Sequence, residues 1–299
     1  MTNQQRCGTV AVVGAPNAGK STLVNALVGQ KVAIVSNKVQ TTRTRLMGIA
    51  VEGDAQLLLI DTPGIFAPRR RLDRAMVRAA WEGASGADVI AFVVDAKTGF
   101  RTDAAAILDA MATRKEPKLL VLNKVDITNK GKLLDLATHA NGIAHFEETY
   151  FIAAETGDGV PELKAALAAK LPLSPWHFPE DQVSDATTRL MAAEITREQL
   201  YRQLHAELPY SAAVETEKWE DRKDGSTVIH QQILIERDSQ KAIVLGKGGA
   251  RLKEIGSVAR GEIATLTGRK IHLFLHVKVK PDWSEDRDVY KGMGLDWSE

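Results

Sequence analysis

Short apolar runs alternate with helix-period stretches along the first 171 residues. Strands are predicted at 9–13, 46–51, 56–60, 88–94, 118–122 and 149–152. Helices are predicted at 19–28, 72–81, 102–114, 130–140 and 160–171. The second and third strands meet at Gly53-Asp54, a two-residue turn that makes them an antiparallel pair. The other strands are separated by helices, which predicts a mostly parallel sheet with helices on both faces. Ligands of such sheets bind beyond the carboxyl ends of the strands, so the segment after each strand is where chemistry is expected.

The pattern changes after Leu171. Pro172, Pro175 and Pro179 stiffen a linker over 172–186, and Trp176 and Phe178 are suited to pack it against a domain. A helix is predicted at 187–208, amphipathic through Leu190, Glu194, Arg197, Leu200, Tyr201 and Leu204. Strands follow at 211–218 and 227–235, joined by a turn at Asp224-Gly225. A short helix at 242–245 leads into Gly246-Lys247-Gly248-Gly249. Next come a helix at 250–267, with Leu252, Ile255, Val258 and Ala259 on one face, and a strand at 271–279. This order is that of a smaller α+β domain at 187–299. Trp283, Tyr290, Leu295 and Trp297 are expected to dock the tail onto it.

Composition narrows the class. A chain of 299 residues accommodates two domains. Hydrophobic residues at 44% and charged residues at 26% are ordinary for a soluble globular protein. The single cysteine, Cys7, excludes a disulfide framework or a cysteine zinc site and suits a reducing, cytoplasmic setting. No signal-peptide core and no run of about 18 apolar residues is present. Net charge is only +1 over the chain. Residues 237–280, however, hold ten Lys and Arg against three Asp and Glu, a net +7 that marks a local site for a polyanion.

The chemistry begins at Gly14-Ala15-Pro16-Asn17-Ala18-Gly19-Lys20-Ser21, which follows the first strand and opens the first helix. This is the complete G-x-x-x-x-G-K-S phosphate loop. Its glycines let several N–H groups turn toward one anion, and the helix dipole adds to them. Lys20 is placed to reach the β- and γ-phosphates, and the Ser21 hydroxyl to ligate Mg²⁺, with Thr22 beside it. The polar segment 30–45 ends Gln40-Thr41-Thr42-Arg43-Thr44-Arg45. It reads as a switch whose threonine ligates Mg²⁺ when a γ-phosphate is present, with Thr42 favoured and Thr41 second.

Three further segments follow strands. Asp61-Thr62-Pro63-Gly64 offers a carboxylate for the metal and a Gly64 N–H for the γ-phosphate. Residues 65–71 read as a mobile loop, and Arg69, Arg70 and Arg71 as its solvated basic end. Asn123-Lys124-Val125-Asp126 suits guanine: Asp126 accepts from N1–H and the 2-amino group, Asn123 meets the base from the other side, and the Lys124 stem covers its face. Adenine would leave that carboxylate unpaired. Ala153-Ala154-Glu155 offers a backbone N–H for the guanine carbonyl.

In this order the motifs resemble a Ras-like GTPase domain of the translation-factor class over residues 8–171. One position departs from Ras-type proteins. Ile65 follows Gly64, where those proteins carry the glutamine that orients the attacking water. Another group must position the water, or a monovalent cation such as K⁺ must stabilise the transition state, with Asn17 as a candidate ligand. Ala153 stands where the family's last motif usually has serine.

The second half resembles a KH domain of the second topological type, with Gly246–Gly249 as its G-x-x-G loop. In that family the loop admits a single-stranded RNA backbone. Gly246, Lys247, Gly248, Gly249, Arg251 and Lys253 are then the expected RNA contacts. His272 and His276 share one strand face and read as structural or RNA-facing rather than metal-binding.

A G domain followed by such a KH domain resembles the Era family of bacterial ribosome-assembly GTPases, over nearly the whole chain. The resemblance implies a P-loop GTPase domain at 1–171 and a type II KH domain at 187–299. It implies GTP, GDP and Mg²⁺ as ligands, and Lys20, Thr42 and Gly64 as the groups assisting slow hydrolysis. Expected partners are the small-subunit ribosomal RNA near its 3′ end and the 30S subunit, with the protein monomeric. Peripheral attachment to the inner membrane is a further expectation from the family, although no basic amphipathic segment argues for it here. Two alternatives stand beside this reading: a ribosome- or tRNA-associated GTPase of another family, and a nucleotide-independent RNA-binding adaptor.

Overall fold

A computed structural model describes residues 5–36, 38, 41–43, 46–204, 208–287, 290 and 295–297. Two compact units emerge. One comprises Met1–Ala33, Thr42–Asp185 and Met293–Glu299, the other Ile34–Thr41 and Ala186–Gly292.

The first unit is built on six strands: β1 (Arg6–Val13), β2 (Leu46–Glu52), β3 (Ala55–Asp61), β4 (Val89–Asp95), β5 (Lys118–Asn123) and β6 (Glu148–Ile152). Their order across the sheet is β2-β3-β1-β4-β5-β6, with β2 and β3 antiparallel and every other pairing parallel. Five helices accompany them: α1 (Lys20–Val28), α2 (Arg71–Ala84), α3 (Thr102–Thr113), α4 (Lys130–Ile143) and α5 (Val160–Lys170).

Strand alternation divides the core in two. Val10, Val12, Leu57, Leu59, Val93 and Val121 pack with Leu23 and Leu27 of α1 and Leu163 and Leu167 of α5. Ala11, Val13, Phe92, Val94 and Leu122 face the other way, onto Ala80, Ile107, Leu108, Met111 and Ala140 of α2, α3 and α4. Both layers expected from the alternation are therefore present. Asp88 stays outside β4, because its Oδ2 accepts from the Thr9 N–H (2.7 Å) and hydroxyl (3.0 Å).

Segment 172–185 lies along this unit. Gln56 anchors it, accepting from His177 N (2.9 Å) and Phe178 N (3.1 Å) and donating to Phe178 O (2.8 Å). Trp176 and Phe178 pack on Cys7, Ile49 and Leu58.

The second unit contains α6 (Thr188–Gln203), β7 (Ala212–Asp221), β8 (Thr227–Ile235), α7 (Asp238–Leu245), α8 (Ala250–Thr267) and β9 (Ile271–Val279). Its sheet has the order β7-β8-β9. The first pair is antiparallel across the Asp224-Gly225 turn, and the second is parallel and closed by the α7–α8 crossover. Leu200, Ile233, Val244, Ile255 and Val277 fill one part of the core, and Ile195, Ile229, Ala259 and Ile263 the rest.

Several expectations need correction here. Leu208 is not the end of a long helix. It starts a 3-10 turn, Leu208–Ser211, consistent with the bias of a residue before proline away from α geometry. Residues 205–207 lie outside the described ones. Helix α7 is a full turn longer than its apolar stretch, starting at Asp238. On α8, Val258 is exposed; the inward row steps by four residues through Ile255, Ala259 and Ile263.

Helix α6 is not amphipathic: Met191–Tyr201 is buried throughout. Several of its polar side chains are paired within the unit, although Arg197 Nη1 and Gln203 Oε1 are buried without a partner. Thr196 Oγ1 donates to Gln231 Oε1 (2.6 Å), Arg197 Nε to Glu194 Oε1 (2.8 Å) and Gln199 Nε2 to Glu262 Oε1 (2.7 Å). Segment 34–41 supplies more partners: Val35 N donates to Glu198 Oε1 (3.2 Å), and Arg197 Nη2 donates to Thr41 O (2.6 Å).

The tail also divides. Trp283 is buried with its Nε1 donating to Ser211 O (2.9 Å), and Tyr290 is buried as well. Trp297, by contrast, lies under the Arg71 guanidinium, 4.6 Å from ring centroid to Cζ, in the first unit.

Candidate functional site

The phosphate loop bridges β1 and α1, and its glycines answer to close backbone approaches. A Cβ at Gly14 would stand 2.3 Å from Val93 O. At Gly19, where φ is +93°, it would stand 2.2 Å from Asn123 Nδ2. Asn17 also adopts positive φ (61°), which asparagine tolerates better than most residues. Lys20 is buried, its Nζ donating to Gly14 O (3.2 Å) and Ala15 O (3.0 Å). Burial pulls its pKa down to about 8, with the Asp61 carboxylate acting in the opposite direction.

Ser21, Thr42 and Asp61 converge beside this ammonium. Ser21 Oγ donates to Asp61 Oδ2 at 2.7 Å and lies 2.9 Å from Thr42 Oγ1. Thr42 Oγ1 is 3.3 Å from the same carboxylate oxygen. Asp61 Oδ1 is buried and has no hydrogen-bond partner. Burial raises the Asp61 pKa, opposed by the Ser21 and Thr42 hydroxyls and Lys20. Three hard oxygen donors and an orphaned carboxylate oxygen fit a magnesium ion. Thr41 is turned elsewhere, its hydroxyl donating to Lys38 O (2.8 Å). Of the rest of the switch segment, Gln40, Thr44 and Arg45 lie outside the described residues.

After β3, Thr62 Oγ1 donates to Val12 O (2.8 Å), and Pro63 and Gly64 are buried. Gly64 passes so close to Pro16 that a Cβ would meet its Cα at 2.9 Å. Ile65 N donates to Gly14 O (3.1 Å), and the Ile65 side chain joins the core with Ala11 and Val13. It cannot orient a water molecule. Arg69 and Arg70 are exposed, while their N–H groups donate to Asp73 Oδ2 (3.1 and 3.0 Å) at the start of α2.

At the guanine motif Asn123 also links the surrounding loops. Its side chain is a brace between loops: Nδ2 donates to Ala18 O (2.9 Å), and Oδ1 accepts from Lys124 N (2.8 Å) and Ala154 N (3.0 Å). The Ala154 N–H thus points toward the guanine motif from the loop after β6. Ala153 closes its own loop, donating to Asp158 O (2.9 Å), while Glu155 is exposed. Lys124 stands at φ 66°, and its Nζ bonds Asn17 O (2.8 Å) and Asp95 Oδ2 (2.7 Å). Asp126 is exposed on the 3-10 turn Val125–Ile127. Replacing Asn123 by alanine should leave Ala18 O and Ala154 N unpaired, at about 1–3 kcal/mol for each. A lowered thermal midpoint together with weaker GDP binding is the expected result, read by calorimetry and titration.

In the second unit Gly246, Gly248 and Gly249 all adopt positive φ (68°, 59° and 79°), and Gly249 N donates to Gly246 O (3.1 Å). Gly246 leaves no room for a Cβ, which would meet Arg251 Cβ at 2.8 Å. Lys247 and Lys253 are exposed, whereas Arg251 Nη1 donates to Ile243 O (3.2 Å) and so ties α8 to α7.

Comparison with known proteins agrees with this geometry. Residues 9–124 match the family described as 50S ribosome-binding GTPase, and residues 207–284 match the KH domain. GTPase Era of Erythrobacter litoralis is 58% identical over 296 residues, covering 98% of this chain and 97% of the relative. GTPase Era of a Bradyrhizobium species is 57% identical, covering 98% and 96%.

The chain belongs to the Era family of GTPases.

Solved Era structures align over its length. Era in complex with MgGDPNP and nucleotides 1506–1542 of 16S ribosomal RNA superposes with a TM-score of 0.91 at 37% identity, covering 97% of this chain and 99% of that one. A variant of Aquifex aeolicus Era bound to GDP and AlF4⁻ gives the same values. The Era-family chain carries one contact that motif reading missed, the Asp95–Lys124 pair. A signal was available: Asp95 ends an apolar strand run, as Asp61 does.

Proposed function

We propose that this chain is a GTP-hydrolysing switch that binds small-subunit ribosomal RNA near its 3′ end and acts in assembly of the 30S subunit. The observation that carries the reading is the convergence of Ser21, Thr42 and Asp61 beside Lys20, in a chain that also has a G-x-x-G loop between α7 and α8. The description of the G-domain family names the large subunit, but it covers residues 9–124 alone. The relatives that span both halves are Era proteins, and one of their structures holds 16S RNA.

Ser21, Thr42 and Asp61 are the residues that would hold Mg²⁺. Bound there, the ion would neutralise charge on the phosphate oxygens. Gly14, Ala15, Asn17, Ala18, Gly19 and Thr22 surround the phosphates, and Lys20 faces the β- and γ-phosphates. Asp126 reads the guanine edge, while Asn123 and Lys124 hold the loops around it. Hydrolysis is attack of water in line with the departing GDP, with Lys20 and the Gly64 N–H stabilising charge on the γ-phosphate. Ile65 stands where Ras-type proteins carry that glutamine, so slow turnover without a partner is expected. The GTP state orders the segment around Thr42, and hydrolysis releases it.

The test is binding of the 3′-terminal single-stranded segment of small-subunit RNA, against a scrambled oligomer, with GDP and with a non-hydrolysable GTP analogue. Tighter and sequence-selective binding in the analogue state is expected. Equal binding in both states would remove the switch and favour the adaptor reading.

Ile65 motivates a second measurement. If K⁺ assists through Asn17, turnover in NaCl should fall by about tenfold or more relative to KCl, within the range that one fixed electrostatic group supplies. Equal rates would exclude the cation.

A further inference from the structure

β9 divides its side chains between two faces. Ile271 and Val277 are buried toward α7 and α8, and Leu273 and Leu275 pack against the same core. His272, Phe274, His276 and Lys278 alternate with them on the opposite face. There Phe274 is 53% exposed, and its ring stacks on His230 of β8 with centroids 4.9 Å apart and planes at 17°. The register accounts for the stack, since His230 is the cross-strand partner of Phe274 and Gln232 that of His276. A half-exposed phenylalanine stacked on a histidine, with two more imidazoles at the next positions along its strand, is a flat aromatic surface open on one side.

The charge around this surface is one-sided. From Ile263 to Pro281 the chain contains no Asp or Glu, and it carries Lys270 and Lys278 besides Arg269 and Lys280, which pair with Asp221 and Asp286. The nearest carboxylates on the sheet belong to β7, next to the strand of His230 and two strands, or roughly 10 Å, from Phe274. Three of them are engaged: Asp221 pairs with Arg269 (3.0 Å), Glu220 with Lys218 (2.7 Å), and Glu217 accepts from Gln232.

Position links the surface to the G-x-x-G loop. β9 is the edge strand of the sheet. Helix α8, which begins at that loop, runs against its inner face, where a Cβ on Gly256 would lie 3.3 Å from Leu275 Cδ1. An RNA strand gripped at Gly246–Gly249 in the manner of KH domains occupies about four nucleotides. The next nucleotides have one strand edge to cross before they reach Phe274.

We propose that the His230–Phe274 stack is a second RNA subsite, on which a base of single-stranded RNA emerging from the G-x-x-G groove stacks, with Lys278 facing its backbone. This inference rests on the KH reading above. Stacking tolerates any base, so the subsite adds affinity rather than sequence selectivity. Nothing in it depends on the nucleotide site of the first unit.

The experiment uses the full chain and RNAs of 4, 8 and 12 nucleotides from the 3′-terminal small-subunit segment, read by fluorescence anisotropy. Phe274→Ala should weaken the 12-mer by about 5- to 150-fold, the range for losing one stacked base, and leave the 4-mer unchanged. Phe274→Trp should restore it. A 2-aminopurine moved along the 12-mer should be quenched at one position outside the four-nucleotide grip, and that quench should vanish in Phe274→Ala. Because the ring is half exposed, the variant should fold, which its thermal midpoint checks. Gly248→Asp should weaken all lengths. Loss with Gly248→Asp but none with Phe274→Ala overturns the subsite, keeps the KH reading and leaves the face to a protein contact. Loss with Phe274→Ala alone keeps the subsite and overturns the G-x-x-G assignment.

Discussion

Replacing Lys20 by alanine should remove guanine-nucleotide binding without unfolding the protein. The ammonium is buried inside the phosphate loop with two carbonyl partners, and burial disfavours its charge. Such a cation contributes little to stability by itself and gains its full interaction only with the phosphates. Truncating one partner of a buried, hydrogen-bonded charge pair costs about 2–5 kcal/mol, or roughly 30- to 5,000-fold in affinity. A titration with fluorescent GDP reads the loss, and a thermal midpoint within about 3 °C of the parent shows that the fold survives. Unchanged affinity for GDP would mean that the phosphates sit elsewhere.

The second large effect concerns the base. Guanine donates from N1 and from its 2-amino group, and in the proposed reading the Asp126 carboxylate accepts both. Asp126→Asn replaces one acceptor by a donor that opposes the amino group. Xanthine has a carbonyl at that position and should accept from the amide. The expected result is a fall in GDP affinity of roughly 10²-fold or more and a gain for xanthosine diphosphate, since a site built around hydrogen bonds rejects a mismatched partner strongly. The exposure of Asp126 on its 3-10 turn makes a folding defect an unconvincing substitute explanation. Competition between the two nucleotides separates the cases. Persistent guanine preference would sink the assignment.

What was legible in the sequence was local. The phosphate loop, Asp61-Thr62-Pro63-Gly64 and Asn123-Lys124-Val125-Asp126 each follow a strand, so a short run of residues contains both the chemistry and its placement. The same holds for Gly246–Gly249, whose positive φ values need glycine. Contacts between distant positions were not legible. Asn123 reads as a base ligand in its motif, and nothing local announces that its amide also joins Ala18, 105 residues away, and Ala154, 31 residues away. Thr41 and Thr42 are indistinguishable by type, and only the fold turns one to Ser21 and the other to Lys38. Helix α6 misled the periodicity argument because its polar side has buried polar partners, so a charged face did not mean a wet one.

The hold of α6 on segment 34–41 has a consequence for synthesis. Thr41 and Arg197 are 156 residues apart in the chain. At about 5–20 residues per second, the segment leaves the ribosome roughly 8–30 s before the helix that accepts it. Most single-domain folding is far faster than this. The first unit therefore has time to form its sheet around β1 while segment 34–41, which belongs to the second unit, waits for a partner not yet made. A nascent chain arrested before α6 should expose that piece to protease, and a completed one should protect it.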